Sequence, residues 1–93
     1  MVTAFILINA ERTRIATAAQ EILKIDGIAE VYSVAGPFDL VAVARVSHND
    51  ELAKLVTEDL IAIGGLTRTE TLISFRQFSR YDLERMFSLG AKG

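Results

Sequence analysis

Apolar residues open the chain in a block, VTAFILI, and two polar residues, Asn9 and Glu11, follow almost at once. A run this short with polar borders predicts a buried strand over residues 2–9. From Arg12 to Ile25 the spacing lengthens. Ile15, Ala18, Ala19, Ile22 and Leu23 recur on one helical face, with Arg14, Thr17, Gln20, Glu21 and Lys24 mostly opposite. Asp26-Gly27 ends this helix, with Gly27 suited to the left-handed position after the last turn. Residues 28–35 (IAEVYSVA) and 38–46 (FDLVAVARV) read as two further strands around a Gly36-Pro37 turn, close enough to pair as an antiparallel hairpin.

Ser47 or Asn49 is placed to cap a second helix over 50–63. Asp50 and Glu51 lie in its first turn, where the helix dipole favours negative charge. Leu52, Leu55, Val56, Leu60 and Ile63 form its apolar stripe, and Gly64-Gly65 stops it. Residues 67–78 predict a fourth strand, and Leu83, Met86 and Phe87 mark a short C-terminal helix from Arg80 to Leu89. The expected fold is therefore α+β: a ferredoxin-like β-α-β-β-α-β domain over residues 1–79 with a four-stranded antiparallel sheet, and a helical tail over 80–93.

Two strands break the alternation that a water-facing antiparallel sheet would show. The first has Val2, Ala4, Ile6 and Ile8 on one side and Phe5 and Leu7 on the other. The third sets Phe38, Leu40, Ala42 and Ala44 against Val41 and Val43. Both helices of this fold cover one sheet face, so the second apolar face predicts a stacked partner sheet, most simply from an identical subunit: a dimeric α/β barrel.

Composition agrees with this picture. The chain has 93 residues, 51% of them hydrophobic and 24% charged, with a mean hydropathy of +0.32, which is high for a domain with so much surface relative to its volume. There is no cysteine, which excludes disulfides, thiolate metal sites and thiol nucleophiles. A net charge of −2 weighs against direct nucleic-acid binding. The opening apolar run is too short for a membrane span or signal segment, and a cytoplasmic location without membrane partners is expected.

Three segments carry a resemblance to a known family: Gly-Ile-Ala-Glu-Val-Tyr (27–32), Gly36-Pro37-Phe38-Asp39-Leu40, and Gly65-Leu66-Thr67-Arg68-Thr69-Glu70-Thr71. Over residues 2–78 the chain resembles the effector-binding (RAM) domain of Lrp/AsnC transcriptional regulators, in a stand-alone form without the helix-turn-helix domain. The resemblance implies a non-enzymatic sensor, without cofactor, that binds an amino acid or related metabolite. It also implies dimers assembling into rings of tetramer to decamer size, and full-length family regulators as potential partners. Ligand contacts would fall on Gly36, Asp39, Thr69 and Thr71. Asp39 suits an α-ammonium group, and two threonines spaced by two present hydroxyls on one side of a strand.

Each of these residues also has an ordinary structural role. Asp39 fits a loop cap equally well, Gly36 a turn, and Thr69 and Thr71 a pleated surface. His48, the single histidine, reads as a solvated residue at a helix start. No carboxylate pair has an evident metal or acid–base spacing; Glu51 and Glu58 fall on the solvent side of the second helix. Arg68, Arg76 and Arg80 suit rim ion pairs better than an anion site, and Tyr81, Met86 and Phe87 suit docking of the tail. Two other readings remain: a cofactor-independent enzyme of the same barrel architecture, and a structural oligomerisation module.

Overall fold

The computed structural model describes residues 1–80, and the expected C-terminal helix lies outside them apart from Arg80. Four strands and two helices follow the expected order: β1 (Val2–Ala10), α1 (Ile15–Leu23), β2 (Ile28–Ser33), β3 (Leu40–Val46), α2 (Asn49–Lys54) and β4 (Leu66–Ile73). The strands form one antiparallel sheet in the order β2-β3-β1-β4, so β2 and β4 are its edges. Pairing of β2 with β3 confirms the hairpin.

Every second residue of β1 and β3 enters the core beneath the helices. Ala4, Ile6, Ile8, Leu40, Ala42 and Ala44 are fully buried there, against Ala18 and Ile22 of α1 and Leu52 of α2. The residues buried between sheet and helices are all apolar among those described. Leu23 departs from its expected place on the stripe: it is exposed, because Ile22 and Ala18 already point at the sheet and Leu23 turns past the helix flank.

The second helix holds a distortion that the apolar spacing did not predict. Past Lys54 it widens into a π-helical turn over Leu55–Asp59, where Leu60 N–H donates to Leu55 C=O at 2.8 Å. Residues five apart sit about 140° around a regular α-helix. The extra residue in this turn brings Leu55 and Leu60 both into the core, each 1% exposed. Neither Ser47 nor Asn49 caps the helix with its side chain. His48 occupies the cap position, and the Glu51 carboxylate instead accepts the Ser47 backbone N–H at 3.1 Å.

Strand limits follow from available partners. The fourth strand, expected to reach residue 78, stops at Ile73. Ser74 N–H still donates to Thr3 C=O, and only Val2 of β1 lies beyond that bond. Residues 34–39 form the hairpin loop, closed by Val34 N–H to Asp39 C=O at 3.0 Å, which shortens both strands relative to expectation.

Register defines the uncovered face. Across the sheet, Glu30, Val43, Phe5 and Leu72 form one row, and Tyr32, Val41, Leu7 and Glu70 the next. The centre is apolar, and of the border positions Glu30, Tyr32 and Glu70 are polar while Leu72 is not. Phe5 is 40% and Leu72 50% exposed, as the sequence pattern led us to expect of an unpartnered second face.

Candidate functional site

The hairpin loop turns at Gly36, whose φ of +134° favours glycine. A Cβ there would meet nothing within 4 Å, so conformation rather than crowding makes the demand. Asp39 leaves the loop half-buried. Its Oδ2 accepts the backbone N–H of Ala10 at 3.0 Å and the side-chain amide of Asn9 at 3.3 Å. The same Asn9 amide donates to the Pro37 carbonyl at 3.0 Å. The carboxylate thus braces the end of β1 rather than capping its own loop, and it does so where β1 and β4 slip register between Asn9 and Ala10. Asp39 Oδ1 accepts no hydrogen bond among the described residues.

Asn9 had not been singled out, although its place as the first polar residue after an apolar run was a usable signal. It pairs with Arg68 of β4, whose guanidinium lies 5.0 Å from the centre of the Phe38 ring. Arg68 also meets Glu70 of the same strand at 3.6 Å, an exposed ion pair. One end of the sheet therefore gathers Gly36, Phe38, Asp39, Asn9 and Arg68.

Thr69 and Thr71 lie elsewhere. They pair with Ile8 and Ile6, both core residues, and so face the helix side of the sheet. Thr71 lines a groove of about 380 Å³ between β4 and the second helix, with Leu52, Ala53, Val56, Thr57 and Ile73. Thr69 lines a neighbouring cleft of about 230 Å³ with Val56, Leu60, Ile63 and Leu66. Asn9, which holds Asp39, alternates with the buried Ile8 and Ala10 and so belongs to the open face. Within one subunit, Gly36 and Asp39 come together, as do Thr69 and Thr71, but the two pairs lie on opposite sides of β1.

A second polar cluster sits on the open face. The carboxylate of Glu30 accepts the Tyr32 hydroxyl and Arg45 Nη1, the latter at 3.1 Å. Those two donors hold the Glu30 carboxyl below its usual value, and the hydrogen bond to Glu30, with its charge second, raises the Tyr32 phenol. Elsewhere, His48 is exposed at the helix start, as expected. Among the described residues no three His, Asp or Glu side chains cluster as metal ligands, and no helix is long and apolar enough to cross a membrane.

Fold and site geometry describe an α+β domain with an apolar open sheet face and, at one end, a hairpin loop carrying Asp39. A family model, the Lrp/AsnC ligand binding domain, matches residues 3–83, and the chain belongs to that family. An uncharacterized HTH-type transcriptional regulator of Pyrococcus furiosus is 38% identical over 76 residues, covering 78% of this chain and 51% of the relative. The chain thus spans about half the length of the curated relatives it matches. A crystal structure of a protein from Thermus thermophilus is 42% identical, with a TM-score of 0.81 over 86% of this chain and all of that one. The feast or famine regulatory protein of M. tuberculosis shares the fold, with a TM-score of 0.71 at 24% identity, covering 85% of this chain and 53% of that one.

Proposed function

We propose that this chain is an amino-acid-sensing oligomeric domain that pairs through its open sheet and binds its ligand between subunits. The observation that carries this reading is the division of the expected ligand residues. Asp39 and Gly36 lie at the open-face end of the hairpin, Thr69 and Thr71 on the helix side of β4. The two pairs face opposite sides of the sheet in one subunit, and a neighbouring copy can bring one pair against the other. The free Oδ1 of Asp39 supplies an acceptor for an α-ammonium group, while Oδ2 keeps the carboxylate in place.

The apolar centre of the sheet, built from Phe5, Leu7, Val41, Val43 and Leu72, supports face-to-face pairing inside a rim of Glu30, Tyr32, Arg45, Arg68 and Glu70. The relatives support a regulatory rather than an enzymatic role. One fold neighbour, the M. tuberculosis regulator, is described in complex with L-methionine. The wholly apolar interior of the described subunit also favours a sensor, because the enzyme alternative needs a polar cavity beneath the sheet. Higher rings and mixed assembly with full-length regulators extend the same reading.

A thermal-shift screen of the twenty amino acids, run beside light scattering, tests it. Ligand at about a hundred times its dissociation constant should add about 2.7 kcal/mol of stability. A monomer at micromolar concentration with no amino-acid response overturns the proposal.

A further inference from the structure

The helix side of β4 is only partly covered. Ile73 pairs with the fully buried Ala4, so its side chain faces the helices, yet it is 55% exposed. Between it and the second helix runs a groove of about 380 Å³, lined by Leu52, Ala53, Val56 and Ile73 together with uncharged polar residues, Thr71 among them. No charged side chain lines this groove, so the ammonium and carboxylate of an amino acid would enter it unpaired, at high cost. Apolar side chains suit it better.

The chain supplies such side chains close by. It bends at Phe75, and Arg80 takes helical backbone. Ser79 stands just before Arg80 with Asp82 three positions later, the spacing of a helix start, and Gly90 suits its end. Within this stretch the spacing of Leu83, Met86 and Phe87 puts them on one helical face. A helix over residues 80–89 is about 15 Å long, against about 13 Å for the groove wall from Asn49 to Thr57.

We infer that residues 80–89 form a third helix that seats Leu83, Met86 and Phe87 in the groove between the second helix and β4 of the same chain. The groove begins at Ile73, the residue from which the tail departs, so the chain's own groove is nearer than that of any second copy. The connection, residues 74–79, has a length common between a strand and the helix after it, about 2–6 residues. Its reach is sufficient. A helix packed beside another lies about 8–10 Å away, axis to axis, and the steps from Ile73 to Arg80 span up to about 25 Å.

The direction also fits. The second helix begins where β4 finishes, because Val46 and Ile73 both pair near the start of β1. A tail helix returning along β4 therefore runs parallel to the second helix, with Leu83 towards Ala53 and Phe87 towards Thr57. It covers Thr71 and leaves Thr69, in the neighbouring cleft, open to a ligand. The inference needs neither sheet pairing nor ligand binding.

Methyl NMR on the full chain tests it. With Met, Ile and Val methyl groups labelled, Met86 should show Overhauser contacts to Ile73 and Val56. These contacts should keep their strength when labelled chain is unfolded and refolded with a large excess of unlabelled chain. Contacts that fade on this dilution put the tail on a second copy and overturn the inference. A Met86 methyl at its random-coil position overturns docking altogether. Ala53→Arg, at an exposed position of the groove wall, should abolish the Met86–Ile73 contact while the core methyl signals of Ile6 and Ile22 stay in place. An unchanged Met86 signal in that variant counts against the groove as the receptor.

Discussion

The carboxylate of Asp39 accepts the backbone N–H of Ala10 at 3.0 Å, joining the exit of the hairpin loop to the last residue of β1. A ladder slip at this point leaves Ala10 paired with Leu66 while Asn9 pairs with Arg68, so Thr67 is the extra residue of β4. The side chain therefore supports a weak point of the sheet at the place where a ligand is proposed to bind.

Replacing Asp39 with alanine should accordingly cost about 1.5–3 kcal/mol, the range for a hydrogen bond to a charged group, and lower the melting temperature. Asn9→Ala should cost less, because Asp39 keeps its bond to Ala10. The amino-acid response separates structure from ligand contact. It should vanish in Asp39→Ala and survive in Asn9→Ala, as measured by thermal shift with and without the amino acid found to stabilise the wild type.

Neighbouring residues of β1 should behave oppositely. Ile6 is fully buried, so Ile6→Ala should destabilise the fold by about 2–5 kcal/mol in chemical denaturation. Phe5 and Leu7 face the open side. A charge there, as in Leu7→Arg, should leave the secondary structure in place and shift the chain towards monomer in sedimentation or light scattering.

Two glycines should differ in the same way. At Gly27, with φ at +100°, a Cβ would stand 2.8 Å from Val46 Cγ1 and 3.1 Å from Leu55 Cδ1. Gly36 has the unusual φ but open space. Gly27→Ala therefore carries both conformational strain and overpacking, the latter typically about 1–3 kcal/mol, and Gly36→Ala only the first. Denaturant midpoints should show the larger loss for Gly27→Ala.

The Glu30–Tyr32–Arg45 cluster makes a pH prediction. Glu30 titrates below its usual value in the folded chain, so its contribution is present above the unfolded carboxyl pKa and lost as pH falls through the lower folded one. Tyr32 titrates above its usual value, so its contribution holds below the unfolded phenol pKa and is lost as pH rises through the folded one. NMR titration of Tyr32→Phe should show the Glu30 pKa moving back up, since the Tyr32 hydrogen bond is the largest cause of its depression.

Much of this fold was legible from spacing alone. The two-sided apolar character of β1 and β3 announced an open second face, and Gly36-Pro37 located the hairpin. Other features depend on neighbours that spacing cannot see. The end of β4 is set by where β1 begins, and the π turn by the need to turn Leu55 and Leu60 inward together. Strand alternation put Thr67, Thr69 and Thr71 on one side of the chain, but which side depends on the slip at Asn9 and Ala10, because a one-residue change in register exchanges the two faces. For the same reason the bond from Asp39 to β1 was not foreseen: its acceptor role was clear, its donor on a strand far away in the chain was not.

The strand order β2-β3-β1-β4 also governs how the domain is completed. The first strand of the chain is interior, and its pairing with β4 joins Ala4 to Ile73, so this ladder closes only after nearly all of the domain has been synthesised. Until residues 66–73 arrive, β1 presents an open hydrogen-bonding edge with apolar side chains on both faces, the kind of edge prone to mispairing. The local hairpin can form early, but the long-range β1–β4 closure should govern the folding rate. The interval before it, rather than the finished fold, is where this chain is most exposed to aggregation.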